Sequence, residues 1–438
     1  MRDTTSMRLR GPRLEHRTNE RRDSIPILIR YSHVFPALFC LGGGARIRLL
    51  LSGPPFELWC RARGLTCLGS GDRLKDMLIL AINPGGGSTK VAIFDGPKTA
   101  LSETVEHPPN QLVRFGHVLD QYEMRKSAVL SVLDQHKFDR TRLQAIATRG
   151  GPLRPLPGGV YRITPRVAAD IRHGEYQTLH ASLLGPLIGF ELSRELGIPA
   201  YFVDPESTDE FRDIARVSGF KGIHRVAISH ALSCRTVAQA AAKKLKKPYQ
   251  KCRLVIAHLG TGITVAAHVG GKQVDANNAN DDGPFSPQRA GSLPLSGIVR
   301  ACYSGKYTEA AILSLFNNKG GLVSYLATDD IRRVEKAVAG GNKSAELVYR
   351  ALVYQVAKEI GAYVVACEGT PDAIVLTGGL TLSERFVTDL KKWLAPLKLK
   401  LFVFPGEEEM SALASRLIAV LSGKEKELSY DKETALRG

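Results

Sequence analysis

Two glycine-rich hairpins constrain the fold more than any other feature of the sequence. The first is LILAINPGGGSTKVAIF at Leu78–Phe94, and the second is LVIAHLGTGITVAAH at Leu254–His268. Each combines an apolar strand, a turn of glycines and hydroxyl residues, and a second apolar strand. Their recurrence predicts a duplicated domain in which each copy contributes one glycine turn to a shared cleft. The alternative is that both are plain hairpin turns that bind nothing.

Glycine turns of this kind can hold phosphate, because no side chain stands between the backbone amides and a ligand. The predicted phosphate-binding residues are Gly85, Gly86, Gly87, Ser88, Thr89 and Lys90 in the first turn, and Gly260, Thr261 and Gly262 in the second. No GK[ST] follows the first turn at Walker spacing, so it is not a P-loop. A third element, Gly378 and Gly379 after the strand Ala373–Leu376, lets the backbone approach a flat nucleotide closely.

The composition is that of a globular protein with more than one domain. The chain has 438 residues, of which 44% are hydrophobic and 24% charged, enough for two or three domains. Its formal charge of +17 suggests an anionic partner, such as nucleic acid, a membrane surface or a phosphorylated small molecule. The seven cysteines lack metal-ligand spacing such as CxxC, which indicates reduced thiols and a cytoplasmic location.

Residues 1–76 differ from the rest of the chain. They hold 14 basic residues, 13 of them arginine, against 7 acidic residues, and no apolar period persists in them. The uncharged run Tyr31–Ala45 is shorter than the roughly 20 residues that span a bilayer, and it lies too far from the start for a secretory signal. We predict an extension outside the fold, disordered or translated upstream of a true start at Met77, and no membrane partner. An arginine-rich arm that binds RNA is the alternative.

From Met77 onward, short apolar strands alternate with amphipathic helical stretches, which predicts an α/β protein. The strand Leu143–Thr148 ends at Arg149, and the strand Ala200–Val203 ends at the run Asp204-Pro205-Glu206. In an α/β sheet, ligands usually bind at the carboxyl ends of strands, so these polar side chains are candidates for a site.

Two further segments bear on the fold and the site. The spacing predicts a helical region from about Pro165 to Leu196. The loop Asn277–Pro294 is too polar and too rich in proline and glycine for a core element, and loops of this length are often functional. It holds Arg289, for which the alternative is a solvated surface arginine.

Together these features resemble the superfamily of acetate and sugar kinases, heat-shock cognate ATPases and actin, and within it the kinases that form acyl phosphates. The similarity is closer to butyrate kinase and branched-chain fatty acid kinase than to acetate kinase. The segments that carry it are INPGGGSTK, TRGGPLRPLPGGVYRI, VDPESTDEFRDIARVSG, ISHALSCRTVA, AHLGTGIT, GPFSPQRAGSLP, IVLTGG and PGEEEMSALA. They occur in family order between about residues 77 and 425, and none lies in residues 1–76.

The resemblance implies two ribonuclease H-like domains on either side of a cleft that holds ATP and Mg²⁺. The first domain would comprise residues 77–205 and about 405–430, and the second residues 206–404. The family transfers the γ-phosphoryl group of ATP to a short-chain or branched-chain carboxylate, giving an acyl phosphate and ADP, and the reaction is reversible. A homodimer or higher homo-oligomer is expected. Nucleic acid is not an expected partner, because the basic residues after residue 76 form no stripe interleaved with aromatics.

The resemblance also implies roles for single residues. Arg149 and Arg289 would hold the carboxylate and the transferring phosphoryl group, with His230 as an active-site histidine. Asp204 would orient substrate or Mg²⁺ through water. By the same matching, Asn83 would face the phosphoryl region with the first turn, His258 would belong to the second turn, and Gly378 and Gly379 to the adenosine site. Two alternatives remain open, that His230 is structural and that Asp204 is a helix N-cap.

The chemistry of phosphoryl transfer explains why these residue types are expected in the site. In-line phosphoryl transfer needs alignment and positive charge at the equatorial oxygens, and the rigid fork of arginine supplies both. A carboxylate nucleophile is already ionised at pH 7, so no general base is required.

Glycines Gly86 and Gly87 stand where butyrate kinases usually have hydroxyl residues, which leaves a catalytically weak nucleotide-binding protein as an alternative. A kinase with an alcohol acceptor is another, with Asp204 or Asp281 as its base.

Overall fold

The computed structural model describes residues 77–406 and 408–435, so the predictions for residues 1–76 lie outside the described part. In chain order the strands are β1 (Leu78–Pro84), β2 (Ser88–Asp95), β3 (Lys98–Glu106), β4 (Ala145–Arg149), β5 (Val160–Arg162), β6 (Ala200–Val203), β7 (Arg253–Leu259), β8 (Ile263–Val269), β9 (Lys272–Ala276), β10 (Ala373–Gly378), β11 (Leu401–Pro405) and β12 (Glu427–Leu428). The α-helices are α1 (Pro109–Leu112), α2 (Tyr122–Gln135), α3 (Pro165–Arg172), α4 (Leu184–Leu196), α5 (Asp213–Arg216), α6 (Ala231–Lys244), α7 (Leu295–Cys302), α8 (Glu309–Asn318), α9 (Gly321–Leu326), α10 (Ile331–Ala339), α11 (Lys343–Ala366), α12 (Glu384–Leu394), α13 (Glu409–Leu421) and α14 (Tyr430–Ala435).

The strands form two sheets with the same core topology. The first sheet has the order β12-β5-β6-β4-β1-β2-β3 and the second β11-β10-β7-β8-β9. In each sheet, an antiparallel meander (β1-β2-β3 or β7-β8-β9) is extended on one side by two parallel strands (β4 and β6, or β10 and β11). The duplication predicted from the two hairpins is therefore confirmed, and so is the α/β fold with two ribonuclease H-like sheets.

The second sheet is buried on both faces because its strands are apolar throughout. In β7, Leu254 and Ile256 pack with α6, whereas Val255 and Ala257 pack in the core under α11. Alternate side chains of a strand point to opposite faces, so a continuous apolar run fills two layers. The apolar stripe of α11 lies in this core: Tyr349, Val353, Val356 and Ile360 are buried, and Val364 is partly buried.

The first sheet has the same two-layer cover. Helices α2, α3 and α4 pack on one face, and α13 returns from the end of the chain to pack on the other. On that second face, Leu413 and Leu417 of α13 share a core with Ile79 and Ala81 of β1. The contact brings the last segment of the chain back to the first sheet, as the predicted domain division requires. The domain boundaries themselves stay a prediction.

One predicted element differs from the structure in a way that matters for the site. The helical region predicted from about Pro165 to Leu196 is split into α3 and α4. Helix α3 ends at Arg172, and Gly174 then adopts a left-handed φ of 80° that other residues rarely take. The chain between the helices passes His180, which caps a short 3₁₀ turn, Ala181–Leu183.

Candidate active site

The first glycine turn connects β1 to β2 and faces outward. The Gly85 amide donates to the Ser88 carbonyl over 2.8 Å, which closes the turn. None of its three glycines has a positive φ. A methyl group added at Gly86 or Gly87 would find no atom within 4 Å. The described part of the chain therefore gives no conformational reason for glycine at these two positions.

A buried arginine on α2 braces this turn from behind. Arg125 is fully buried, and its guanidinium donates to the carbonyls of Gly86 (3.0 Å) and Ser88 (2.8 Å). It also lies 3.1 Å from the Thr89 hydroxyl, which contacts His107 on its other side at 2.9 Å. Thr89 therefore points into the protein, whereas Ser88 and Lys90 remain partly exposed. Burial lowers the pKa of Arg125 to about 10, so this side chain stays charged at neutral pH.

Arg149 at the end of β4 lies between two glutamates. Its Nη2 is 2.8 Å from Oε1 of Glu206, and its Nη1 is 3.2 Å from Oε1 of Glu409, the first residue of α13. Glu409 is also the acceptor for Asn83 Nδ2 at 2.7 Å and Ser233 Oγ at 3.3 Å. The structure thus joins two predicted site residues, Asn83 and Arg149, through a glutamate that was not predicted.

Glu206 connects Arg149 to the rest of the cluster. Its Oε2 lies 3.7 Å from His180 Nδ1. Burial opposes ionisation of Glu206, but Arg149, His180, the Ser182 hydroxyl and Arg289 outweigh it and hold the pKa of this carboxyl below its ordinary value. Arg289 comes from the other half of the molecule, in the loop after β9. Both predicted arginines are therefore close enough to act on one carboxylate.

The predicted histidines lie side by side. The rings of His230 and His258 stack with their centroids 4.0 Å apart, and His230 Nδ1 is 2.8 Å from the Thr264 hydroxyl. Burial, followed by the charges of His258, Arg289, Arg149 and His180, lowers the pKa of His230 well below its usual value. His230 is therefore neutral at pH 7, and it can donate one hydrogen bond without adding a charge to the site.

Arg289 lies over the second glycine turn. Its Nη1 donates to the Ala279 carbonyl at 3.1 Å. A methyl group added at Gly262 would lie 2.5 Å from that same nitrogen. A side chain at this position would therefore displace the guanidinium from where it lies. Gly260 closes the turn by donating to the Gly262 carbonyl at 3.1 Å, and Thr261 is exposed at its tip.

The third glycine element contacts the second. Gly378 has a left-handed φ of 93°, and a methyl group there would lie 2.5 Å from the Leu259 carbonyl oxygen. The ends of β10 and β7 can meet only because this residue is glycine. The neighbouring Gly379 has no atom within 4 Å of an added methyl group. The adenosine role of both residues stays a prediction.

Asp204 lies apart from this cluster, between two other arginines. Its side chain is fully buried, with Oδ1 3.3 Å from Arg235 Nε and Oδ2 3.4 Å from Arg416 Nε. Among the described residues, no group of three histidine, cysteine or acidic side chains is placed to hold a metal ion. The enclosed carboxylate does not fit direct coordination of Mg²⁺. The water-mediated role of Asp204 stays a prediction.

Four residues of the site were missed or given no role. His180 fell inside a segment predicted as helix, although Gly174 nearby signals a helix end. Glu206 was noted only as a carboxylate at a strand end. Glu409 lies in PGEEEMSALA, a segment used for the resemblance but not assigned a residue. No local signal identifies Arg125, because only the packing of α2 carries it behind the turn.

The paired sheets, with a glycine turn on the first hairpin of each and two arginines acting on one cluster, define a phosphoryl-transferring kinase of the acetate and sugar kinase class. The model of the acetokinase family matches residues 217–410. The chain is 44% identical over 356 residues to a probable butyrate kinase of Listeria monocytogenes serotype 4b (strain CLIP80459), covering 80% of this chain and 99% of that relative. The chain belongs to the acetokinase family, and it is a carboxylate kinase.

Solved structures support the same fold. Acetate kinase of Porphyromonas gingivalis superposes with a TM-score of 0.65 at 20% identity, over 79% of this chain and 100% of that one. A propionate kinase of Francisella tularensis subsp. tularensis SCHU S4 superposes with a TM-score of 0.61 at 20% identity, over 78% of this chain and 98% of that one.

Among the helices of the described residues, none has the length and apolar character that a membrane span needs.

Proposed function

We propose that this kinase transfers the γ-phosphoryl group of ATP to a short-chain or branched-chain carboxylate resembling butanoate, giving an acyl phosphate and ADP, and that the reaction is reversible. The observation that supports this most is the pair Arg149 and Arg289. They come from separate halves of the chain, and the charges of both lower the pKa of the same carboxyl, Glu206, and of the same histidines, His180 and His230.

Arg149 is the proposed partner of the acceptor carboxylate. Its fork already binds carboxylate groups in this structure, from Glu206 and Glu409, which is the geometry that a carboxylate substrate needs. Arg289, largely buried, is the proposed partner of the transferring phosphoryl group, where positive charge stabilises the equatorial oxygens. Neutral His230 would donate a hydrogen bond to the same group.

The glycine turns are the proposed phosphate sites. Gly86 and Gly87 have open space above them, so a phosphate can reach the backbone amides, and Lys90 is partly exposed nearby. Mg²⁺ would enter with the nucleotide, since it is usually held by phosphate oxygens, waters and one or two carboxylates, and it neutralises charge on the phosphates. The cytoplasmic location and the homo-oligomer stay predictions.

The alcohol-acceptor alternative is not favoured. It needs a carboxylate base beside the acceptor hydroxyl. The Asp204 carboxylate is enclosed by Arg235 and Arg416, and the Asp281 carboxylate accepts from Asn278 Nδ2 at 2.7 Å. A carboxylate acceptor needs no base, so the arrangement agrees better with an acid substrate.

The test is acyl phosphate formation from ATP and Mg²⁺, trapped with hydroxylamine, across acetate, butyrate, isobutyrate and isovalerate. We expect hydroxamate from at least one of the four-carbon or five-carbon acids. Replacing Arg149 by lysine should lower kcat/KM by roughly 10²- to 10³-fold, because a point charge replaces a two-pronged donor. Hydroxamate from none of the acids would rule out this substrate class.

Arg154→Lys is the matched control. Arg154 follows the same strand by five residues but pairs with Asp170 and Glu175, away from the cluster. We expect this variant to keep its kcat/KM within about threefold. An equal loss in both variants would mean that the assay reports a general disturbance of the fold and not a role for Arg149.

A further inference from the structure

Two glutamates share the Arg149 guanidinium, and they are held very differently. Glu409 is fixed by Asn83 Nδ2 at 2.7 Å and Ser233 Oγ at 3.3 Å, in addition to Arg149. It also begins α13, where the helix dipole favours a negative charge. Removing Glu409 from Arg149 would break several contacts at once.

Glu206 has fewer anchors for its side chain. It lies in the loop after β6, and its 2.8 Å contact with Arg149 Nη2 is short. Besides Arg149, the Ser182 hydroxyl donates to the Glu206 carboxylate, and its second oxygen is 3.7 Å from His180 Nδ1, which is too far for a hydrogen bond. His180 Nδ1 already accepts from the Ser182 amide. Of the two glutamates, Glu206 can leave Arg149 at the smaller cost.

We propose that Glu206 is an internal competitor of the substrate: it occupies one edge of the Arg149 fork in the free enzyme, and the acceptor carboxylate displaces it. The inference rests on the proposed function, in which Arg149 binds the acid. Glu206 and the substrate present the same chemical group to the same nitrogen atoms. They would also repel each other when both are charged, because both would lie beside the same guanidinium, which is only partly exposed to water.

The role of Glu206 is therefore to set how tightly the acid binds. An interaction present only in the free enzyme raises KM for the acid and does not change the energy between bound substrate and transition state. Glu206 also keeps the partly buried Arg149 paired when no acid is present. Loss of the Glu206 charge should then strengthen acid binding without a matching change in kcat.

The test compares wild type with Glu206→Gln, which keeps the shape and removes the charge. We expect KM for butyrate to fall about five- to twentyfold, with kcat within about threefold and KM for ATP unchanged. Calorimetric titration with butyrate alone should show tighter binding by a similar factor. Glu425→Gln, which removes a carboxylate paired with Arg416 and not with Arg149, should leave both values unchanged.

Glu206→Asp separates charge from contact. It keeps the charge but is one methylene shorter, so we expect KM for butyrate to lie between those of wild type and Glu206→Gln. Thermal unfolding of each variant confirms that it is folded. If the wild type is active but Glu206→Gln binds butyrate more weakly or has a raised KM for it, only the inference about Glu206 is overturned. Glu206 would then position Arg149 for the substrate. A wild type inactive on every acid would overturn the proposed function, and this inference with it.

Discussion

The glycines of the two hairpin turns have different surroundings, although their sequences look alike. At Gly86, an added side chain would enter open space, with an ordinary φ. At Gly262, it would meet the Arg289 guanidinium at 2.5 Å. The space beside Gly86 is empty, whereas the space beside Gly262 is filled by the guanidinium of Arg289. The same residue type therefore leaves open space in one turn and makes room for a guanidinium in the other.

Serine at these two positions should have opposite effects. Gly86→Ser is expected to keep or raise kcat/KM, because the hydroxyl adds a donor without a clash. Gly262→Ser is expected to lower it by roughly 10²-fold, since Arg289 must move by about an ångström or more. Steady-state kinetics with ATP and the best acid would measure both. A large loss in Gly86→Ser would mean that the first turn binds its ligand differently.

Helix α2 acts as a support for the first turn. Arg125 crosses from the helix to the Gly86 and Ser88 carbonyls, and the side-chain oxygen of Gln121, the residue just before the helix, accepts from the guanidinium at 3.0 Å and 2.9 Å. The turn itself is only partly buried, so its shape depends on these hydrogen bonds and on the closure between Gly85 and Ser88. Helix α2 thus positions the proposed phosphate site, although Arg125 and Ser88 are 37 positions apart in the sequence.

Replacing Arg125 by methionine should weaken both stability and nucleotide binding. The change keeps the length of the side chain but leaves several acceptors unpaired, at about 1 to 3 kcal/mol each. We expect the free energy of unfolding in urea to fall by about 3 kcal/mol and KM for ATP to rise. Arg140→Met, at an exposed pair with Asp134 after the same helix, should change stability by less than about 0.5 kcal/mol. If KM for ATP stays constant, the turn does not need its support.

Elements from the two sheets are joined by a buried ionic cluster. Arg235 on α6, which packs on the second sheet, lies 3.3 Å from Asp204 at the end of β6 and 2.7 Å from Glu210. Arg416 on α13 contacts the other oxygen of Asp204. Burial opposes the charge of Arg235, but Asp204 and Glu210 raise its pKa. An added methyl group at Gly158 would collide with this guanidinium, so a side chain there would displace Arg235 from the cluster.

Asp204→Asn should therefore be a stability variant. It leaves two buried arginines short of a counter-charge, which costs roughly 3 to 5 kcal/mol for a broken buried pair. Urea unfolding measures the loss, and titration of activity with Mg²⁺ measures any role toward the metal. A variant with unchanged stability and a large shift in Mg²⁺ dependence would show that Asp204 serves the ion and not the joint between the sheets.

Local patterns in the sequence predicted the two glycine hairpins and the α/β class of the fold. The repeated hairpins predicted the duplication, and the strand Ala200–Val203 was predicted with its observed bounds, whereas the roles of Arg149 and Arg289 came from the family resemblance and stay predictions. The predictions of local structure succeed because alternation of apolar residues and the chemistry of a turn depend on neighbours in the chain. The prediction of one helix across Gly174 was wrong, because helix α3 ends at Arg172 and Gly174 adopts a left-handed φ despite the apolar residues around it.

Only the tertiary structure determined which charged and polar side chains are in contact. Arg149 and Glu409 are 260 positions apart, and Asn83 and Glu409 are 326 apart, yet each pair is in contact. The enclosure of Asp204 by Arg235 and Arg416, the support of a glycine turn by Arg125, and the contact between Glu206 and Arg149 likewise depend on how helices and strands pack. No periodicity records such contacts, because the free energy of a buried ion pair depends on distance and burial, which are set only when the chain has folded.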